Sequence, residues 1–158
     1  MVVAILFAAC SVASQRKAQA KDEPNPAQVD IGAMAQVESG DDPNAVGPCG
    51  EHGCCQIMQA TWDECVDRLG RTDWIWETRS FDQYANKTVA GYYVNVRIPQ
   101  MLRYYGVPDT LEARLASYNW GIGKVRRLWR KDGTLDNLPQ SVKKYIERYQ
   151  KALQEQDK

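Results

Sequence analysis

Residues 37–61 read VESGDDPNAVGPCGEHGCCQIMQAT, and the fold follows from how this stretch continues the residues before it. Ile31, Met34, Ala35 and Glu38 recur at i, i+3, i+4 and i+7, so Glu38 lies on the apolar face of a helix. A carboxylate stands where a hydrophobe belongs. Partial desolvation, the negative end of a helix that Gly40 terminates, and the carboxylates of Asp41 and Asp42 are all expected to raise its pKa. The competing reading is a glutamate near a helix end with its headgroup in water. After Gly40, residues 41–53 are rich in Gly, Pro, Asn and Asp and read as a loop whose backbone can approach a ligand closely.

Around this stretch the chain reads as helices. Asn25-Pro26 with Gln28 supplies a cap, a proline at the first helical position and a box partner, which predicts the start of the helix carrying Glu38. Thr61-Trp62-Asp63-Glu64 predicts a capping box for a second helix, closed by Gly70. Residues 82–105 have helical periodicity interrupted by Pro99, which predicts a kink or break near Ile98. Pro108-Asp109 with Glu112 opens the next helix, which carries Tyr118 and Asn119 and ends at Gly121 and Gly123. A last helix starts near Pro139 and aligns Val142, Tyr145, Ile146, Tyr149 and Leu153. No strand and no repeat is signalled, so the fold class is mainly α.

At 158 residues the chain is one domain, large enough for a hydrophobic core without staples. Its 20 Lys and Arg balance 20 Asp and Glu, which gives no global case for nucleic acid. Between residues 22 and 67 there are ten acidic residues and no Lys or Arg, whereas basic residues gather from Lys124 onward. Residues 2–9 form an apolar run too short to span a bilayer, followed by Cys10. Phe7-Ala8-Ala9-Cys10 looks like a lipoprotein signal box, so membrane anchoring through Cys10 is expected, with residues 11–24 as a tether. The expected organisation is a leader and start of tether over 1–20, a linker over 21–25 and one domain over 26–155. Cys49, Cys54, Cys55 and Cys65 then remain, an even number in an oxidising compartment, and predict two disulfides of open pairing. Zinc with His52 is the weaker alternative, because the spacing is not that of a zinc knuckle. His52 itself reads as a surface residue.

Three blocks occur in order: Glu38-Ser39-Gly40, Gly53-Cys54-Cys55-Gln56 and Ser117-Tyr118-Asn119-Trp120-Gly121. They resemble the Glu-Ser-Gly, Gly-Leu-Met-Gln and Ala-Tyr-Asn-Ala-Gly signature of the goose-type lysozyme and soluble lytic transglycosylase superfamily. The resemblance implies a lysozyme-like fold and cleavage between N-acetylmuramic acid and N-acetylglucosamine in peptidoglycan, with a 1,6-anhydromuramic product. It makes Glu38 the catalytic acid, then base, and needs no second carboxylate, unlike a conventional glycosidase.

Carried over position by position, the resemblance sets Ser39 near the substrate acetamido group and Gln56 along the cleft. Tyr118 and Asn119 would face Glu38 from the later helix, with Tyr118 positioning charge. Tyr145 matches the tyrosine of a weaker block near the C-terminus, and core packing competes with that role. Cys54 and Cys55 replace Leu-Met, and Trp120 replaces an alanine, either stacking on a sugar or filling the core. No metal or organic cofactor is implied, the partner is the peptidoglycan glycan strand, and a monomer in the periplasm or cell envelope is expected. The rivals are a goose-type hydrolytic lysozyme and a non-catalytic glycan-binding module on the same fold. Residues 124–131 interleave basic and apolar side chains and read as an amphipathic helix with a charged outer face, a face with some attraction for the carboxylates of peptidoglycan peptides.

Overall fold

The computed structural model describes residues 28–156. The expected leader, Cys10, the tether and the Asn25-Pro26 helix start lie outside the described residues. The helices are α1 (Ile31–Ser39), α2 (Gln59–Arg68), α3 (Trp76–Arg79), α4 (Gln83–Tyr92), α5 (Ile98–Tyr105), α6 (Leu111–Ala116), α7 (Ile122–Asp132) and α8 (Gln140–Gln156). Two π-helical turns, Tyr93–Arg97 and Ser117–Gly121, join α4 to α5 and α6 to α7. Among the described residues there is no strand, only isolated bridges pairing His52 with Val46 and with Ile57.

The first helix begins later than the sequence predicts. Asp30 is its cap, accepting the Ala33 N–H at 2.7 Å, and Ala33, Met34 and Ala35 are buried. Against it lies α8. The Tyr149 hydroxyl accepts the Asp30 N–H at 2.8 Å, and the Tyr145 hydroxyl donates to Glu38 at 2.8 Å. Rising numbers on α1 meet falling numbers on α8, so the two run antiparallel.

The second helix begins at Gln59 after Met58, without a side-chain cap, so Thr61 lies inside it rather than ahead of it. It ends as expected at Gly70, in the left-handed region at φ 66°, where Arg71 N–H reaches Val66 O and Gly70 N–H reaches Asp67 O. Of the kink or break predicted near Ile98, there is no break: the π turn runs directly on into α5. The π turn widens the helix just ahead of Pro99, which then sits in the first turn of α5, where a missing N–H is tolerated. The same turn presents Asn95, whose amide accepts from Val29 N at 2.8 Å and donates to Val29 O at 3.0 Å. Arg114, buried, forks onto Asp109 at 2.7 and 3.1 Å and closes the α5–α6 loop.

The loop after α1 is tied down from α4. Asn86 is fully buried; its amide donates to His52 O at 3.0 Å and Ser80 O at 2.8 Å, and its carbonyl accepts from Cys55 N at 2.9 Å. Gly53 fits beneath it only as glycine. Its φ is 75°, and a Cβ would stand 2.4 Å from the Asn86 amide nitrogen and 2.7 Å from Ser80 O. His52 is half-buried, not on the surface as expected. Its ring stacks between Trp76 at 4.3 Å and Phe81 at 4.2 Å and meets the Ser80 hydroxyl at 2.9 Å.

Among the described residues Cys49, Cys54, Cys55 and Cys65 are free thiols, against the expectation of two disulfides. Cys49 is exposed, and Cys54, Cys55 and Cys65 are buried as small hydrophobes, with Cys54 Sγ donating to Asn86 Oδ1 at 3.4 Å. Among the described residues no cluster of three or more His, Cys, Asp or Glu side chains is placed to hold a metal ion.

Asn86→Ala would strand the Cys55 N–H and the Ser80 carbonyl in the interior, while the His52 carbonyl keeps the Ile57 N–H. A loss of about 2–4 kcal/mol is expected in urea unfolding, with unchanged m-value. A loss under 0.5 kcal/mol would show that the loop holds itself.

Candidate active site

Glu38 stands in the last turn of α1, and its side chain opens into a cleft of about 530 Å³. One wall comes from the pinned loop and the start of α2: Pro48, Glu51, Gln56, Ile57, Met58 and Thr61. The other comes from the two π turns, with Tyr93 from the first and Ser117, Tyr118, Asn119, Trp120 and Gly121 from the second. Gly121, at φ 94° and ψ 133°, ends the second π turn and redirects the chain into α7.

Burial pushes the Glu38 carboxyl up from 4.5 to about 7. The Tyr145 hydroxyl and the nearby Arg148 charge pull the other way, and the Glu51 charge adds to the rise. Asp41 and Asp42, expected to contribute, face elsewhere. Asp41, at φ 63°, pairs with Lys87 at 2.8 Å, and Asp42 accepts the Asn44 N–H at 2.8 Å. The carboxylate neighbour of Glu38 is Glu51, and sequence reading missed it. It lay among the polar residues of the 41–53 loop with nothing to mark it. Its Oε2 accepts the Cys49 N–H at 2.9 Å. Glu51 and Gln56 both fold over Gly47, where a Cβ would fall 2.4 Å from Glu51 Oε2 and 2.5 Å from Gln56 Oε1.

The predicted site residues divide by position. Gln56 lines the cleft in a left-handed conformation at φ 50°, its amide donating to Gly53 O at 2.9 Å. Asn119 lines it with an exposed side chain. Tyr118 also lines it, but its hydroxyl donates to Cys55 O at 2.7 Å, not to Glu38, and burial pushes its pKa well up. Its ring leans on Tyr93, with centroids 5.8 Å apart.

The hydroxyl on Glu38 is that of Tyr145, buried behind the carboxyl and away from the cleft surface. Burial and the Glu38 charge hold that phenol well above its ordinary pKa, so it stays a donor. Ser39 does not line the cleft. Its hydroxyl donates to Cys54 O at 2.9 Å and accepts the Asp42 N–H at 3.0 Å, joining the end of α1 to the cleft floor. Trp120 lines the cleft, and Ser117, where the motif has alanine, is buried with its hydroxyl unpartnered among the described residues.

This arrangement offers one carboxyl poised near neutrality in an open groove, a buried hydroxyl behind it, and a second carboxylate on the facing loop. Comparison with known proteins agrees in kind. The model of the transglycosylase SLT domain family, a lysozyme-like, helix-rich fold, matches residues 15–140. No curated protein and no solved structure matches the chain. With most of its length matched, cleft included, the chain belongs to the transglycosylase SLT domain family.

Proposed function

We propose that this protein is a peptidoglycan lytic transglycosylase, with Glu38 as the acid that cleaves the bond between N-acetylmuramic acid and N-acetylglucosamine. The observation that carries the reading is the Glu38 carboxyl, raised to about 7 by burial beside an open cleft of about 530 Å³. A carboxyl still protonated near neutrality can give its proton to the glycosidic oxygen as the bond to C1 breaks. The acetamido oxygen of the same sugar supports the cationic carbon. The 6-hydroxyl then attacks C1 and returns its proton to Glu38, closing the 1,6-anhydro ring without water. Tyr145 holds the carboxyl in place through both transfers, and Gln56, Tyr118 and Asn119 shape the cleft for the sugar. Ser39 acts by fixing the floor. The setting of this chemistry is the cell envelope, reached by export and lipidation at Cys10, with the catalytic unit over residues 26–155 acting as a monomer.

One observation favours hydrolysis instead. Glu51 faces the same cleft, and a second carboxylate is what an inverting or retaining glycosidase uses. The product decides. Mass spectrometry of muropeptides released from purified walls is expected to show 1,6-anhydromuramic ends, one water lighter than hydrolysed ends. Glu38→Gln should fold and bind glycan but lose about 10²–10⁴ of the rate. Asp41→Asn and Asp42→Asn should each retain most activity. Reducing-end products together with an inactive Glu51→Gln would move the assignment to a lysozyme. Undiminished cleavage by Glu38→Gln would remove Glu38 from the chemistry, and a wild type that binds without cleaving would make it a glycan-binding module.

Protonation gives a further prediction. The acid form of Glu38 is lost as pH rises through about 7, so kcat/KM should fall above that pH. Tyr145→Phe removes a donor that favours the carboxylate, so the falling limb should move to higher pH while kcat drops. Stability follows the same titration. Between 4.5 and about 7 the folded chain holds a proton that the unfolded chain has released, so folding stability should decline across that window. The decline is on the order of 3 kcal/mol and should vanish in Glu38→Gln. A wild-type profile with no limb near 7, or an identical slope in Glu38→Gln, would contradict it.

A further inference from the structure

The second π turn delivers the chain from the cleft directly into α7, whose sequence is IGKVRRLWRKD. Val125 is buried, and Leu128 and Trp129 pack on the core, which fixes the inward face. Arg126 lies over the Tyr105 ring at 4.5 Å. Lys124, Arg127 and Lys131, at i, i+3 and i+7, form one exposed stripe along the outward side. Lys124 Nζ stands 5.9 Å from the ring of Trp120, which lines the cleft. Among the described residues no carboxylate is paired with Lys124 or Arg127, and Lys131 only brushes Asp132 at 3.7 Å. The cleft itself is lined by carboxylates, Glu38 and Glu51, and by no Lys or Arg.

An anionic part of a ligand seated in that cleft is therefore drawn out of it, toward the stripe. The stripe's seven-residue span covers roughly 10 Å, about the length of three extended residues. We propose that Lys124, Arg127 and Lys131 receive the acidic peptide stem that branches from the muramyl residue of a bound glycan strand. The inference rests on the proposed function for its substrate, and it adds a specificity: strands bearing free stem carboxylates bind more tightly than naked glycan. The contacts are exposed and electrostatic, so the preference weakens with salt.

Binding is measured by calorimetry with the full chain carrying Glu38→Gln, so that cleavage does not intrude. The probes are soluble glycan strands in three forms: peptide-bearing, stripped by an amidase, and peptide-bearing with amidated carboxylates. Peptide-bearing strands should bind on the order of tenfold tighter than the other two at low salt, and the gap should narrow as salt rises. Adding K124Q, R127Q and K131Q, with circular dichroism unchanged, should level the three. Equal binding of all three strands by the parent overturns the proposal, as does an equal loss on all three in the variant. Binding to anionic lipid vesicles without any preference among strands would assign the stripe to a membrane surface and also overturn it. Failure of the transglycosylase reading would appear separately, as absent anhydro ends from the wild type with the binding comparison intact.

Discussion

A carboxyl kept out of water by one helix and held by a hydroxyl from another is the constraint on which the site rests. Burial raises Glu38 to about 7 while Tyr145 and Arg148 of α8 hold the rise in check, and the tyrosines at 145 and 149 determine how α1 lies on that helix. If α8 shifted along α1, the Tyr149–Asp30 contact would fail together with the Tyr145–Glu38 one. Docking the first helix and tuning the acid are thus one event. Arg148, one turn from Tyr145, limits the rise, so the carboxyl can still release its proton. A more apolar setting would hold the proton more tightly and impede its release.

The facing wall depends on a different kind of contact. The turn through Gly53 has no helix or sheet of its own, and where the loop's own backbone hydrogen bonds leave off, the single amide of Asn86 takes the Cys55 N–H and the His52 and Ser80 carbonyls. That explains why Gly53 must lack a side chain, whereas the next two positions need only be small and apolar enough to bury. Cys54 and Cys55 meet that need as thiols, with neighbouring sulfurs 3.9 Å apart. The contact with Cys54 and burial together push the Cys55 thiol well up, which keeps it inert. The wall is therefore rigid through hydrogen bonding rather than cross-linking. From it, Tyr118 takes the Cys55 carbonyl and carries the tie across the cleft to the second π turn.

Much of this was legible in the residues. A polar side chain on an apolar helical stripe identified Glu38, and the same signal marks Asn86, which precedes Val89 and Ala90 at i+3 and i+4. Asn86 went unread because amides are common on helices, and nothing local says that loop carbonyls await it. The motif brought Gln56, Tyr118, Asn119 and Trp120 to one cleft. It did not assign the hydroxyl on Glu38 to Tyr145 rather than Tyr118, since both lie far from residue 38 in sequence and only packing chooses between them. Spacing suggested disulfides because a count of cysteines carries no direction, whereas burial of three and exposure of one is a matter of which way each side chain points. Pro99 suggested a break because the widened turn ahead of it has no sequence signature of its own.

Those two widened turns also bear on how the chain tolerates change in length. A π turn is an α-helix holding one residue more than its regular winding needs. Removing one residue from Ser117–Gly121 would leave a helix that is locally sounder, yet everything beyond the deletion would turn by about 100° relative to what precedes it. Tyr118 and Trp120 would then no longer point to the same side as Glu38, and α7 would carry its basic stripe away from the groove. The cleft is in this sense a stored register offset, so a deletion that improves the local winding is also the one that erases the active face.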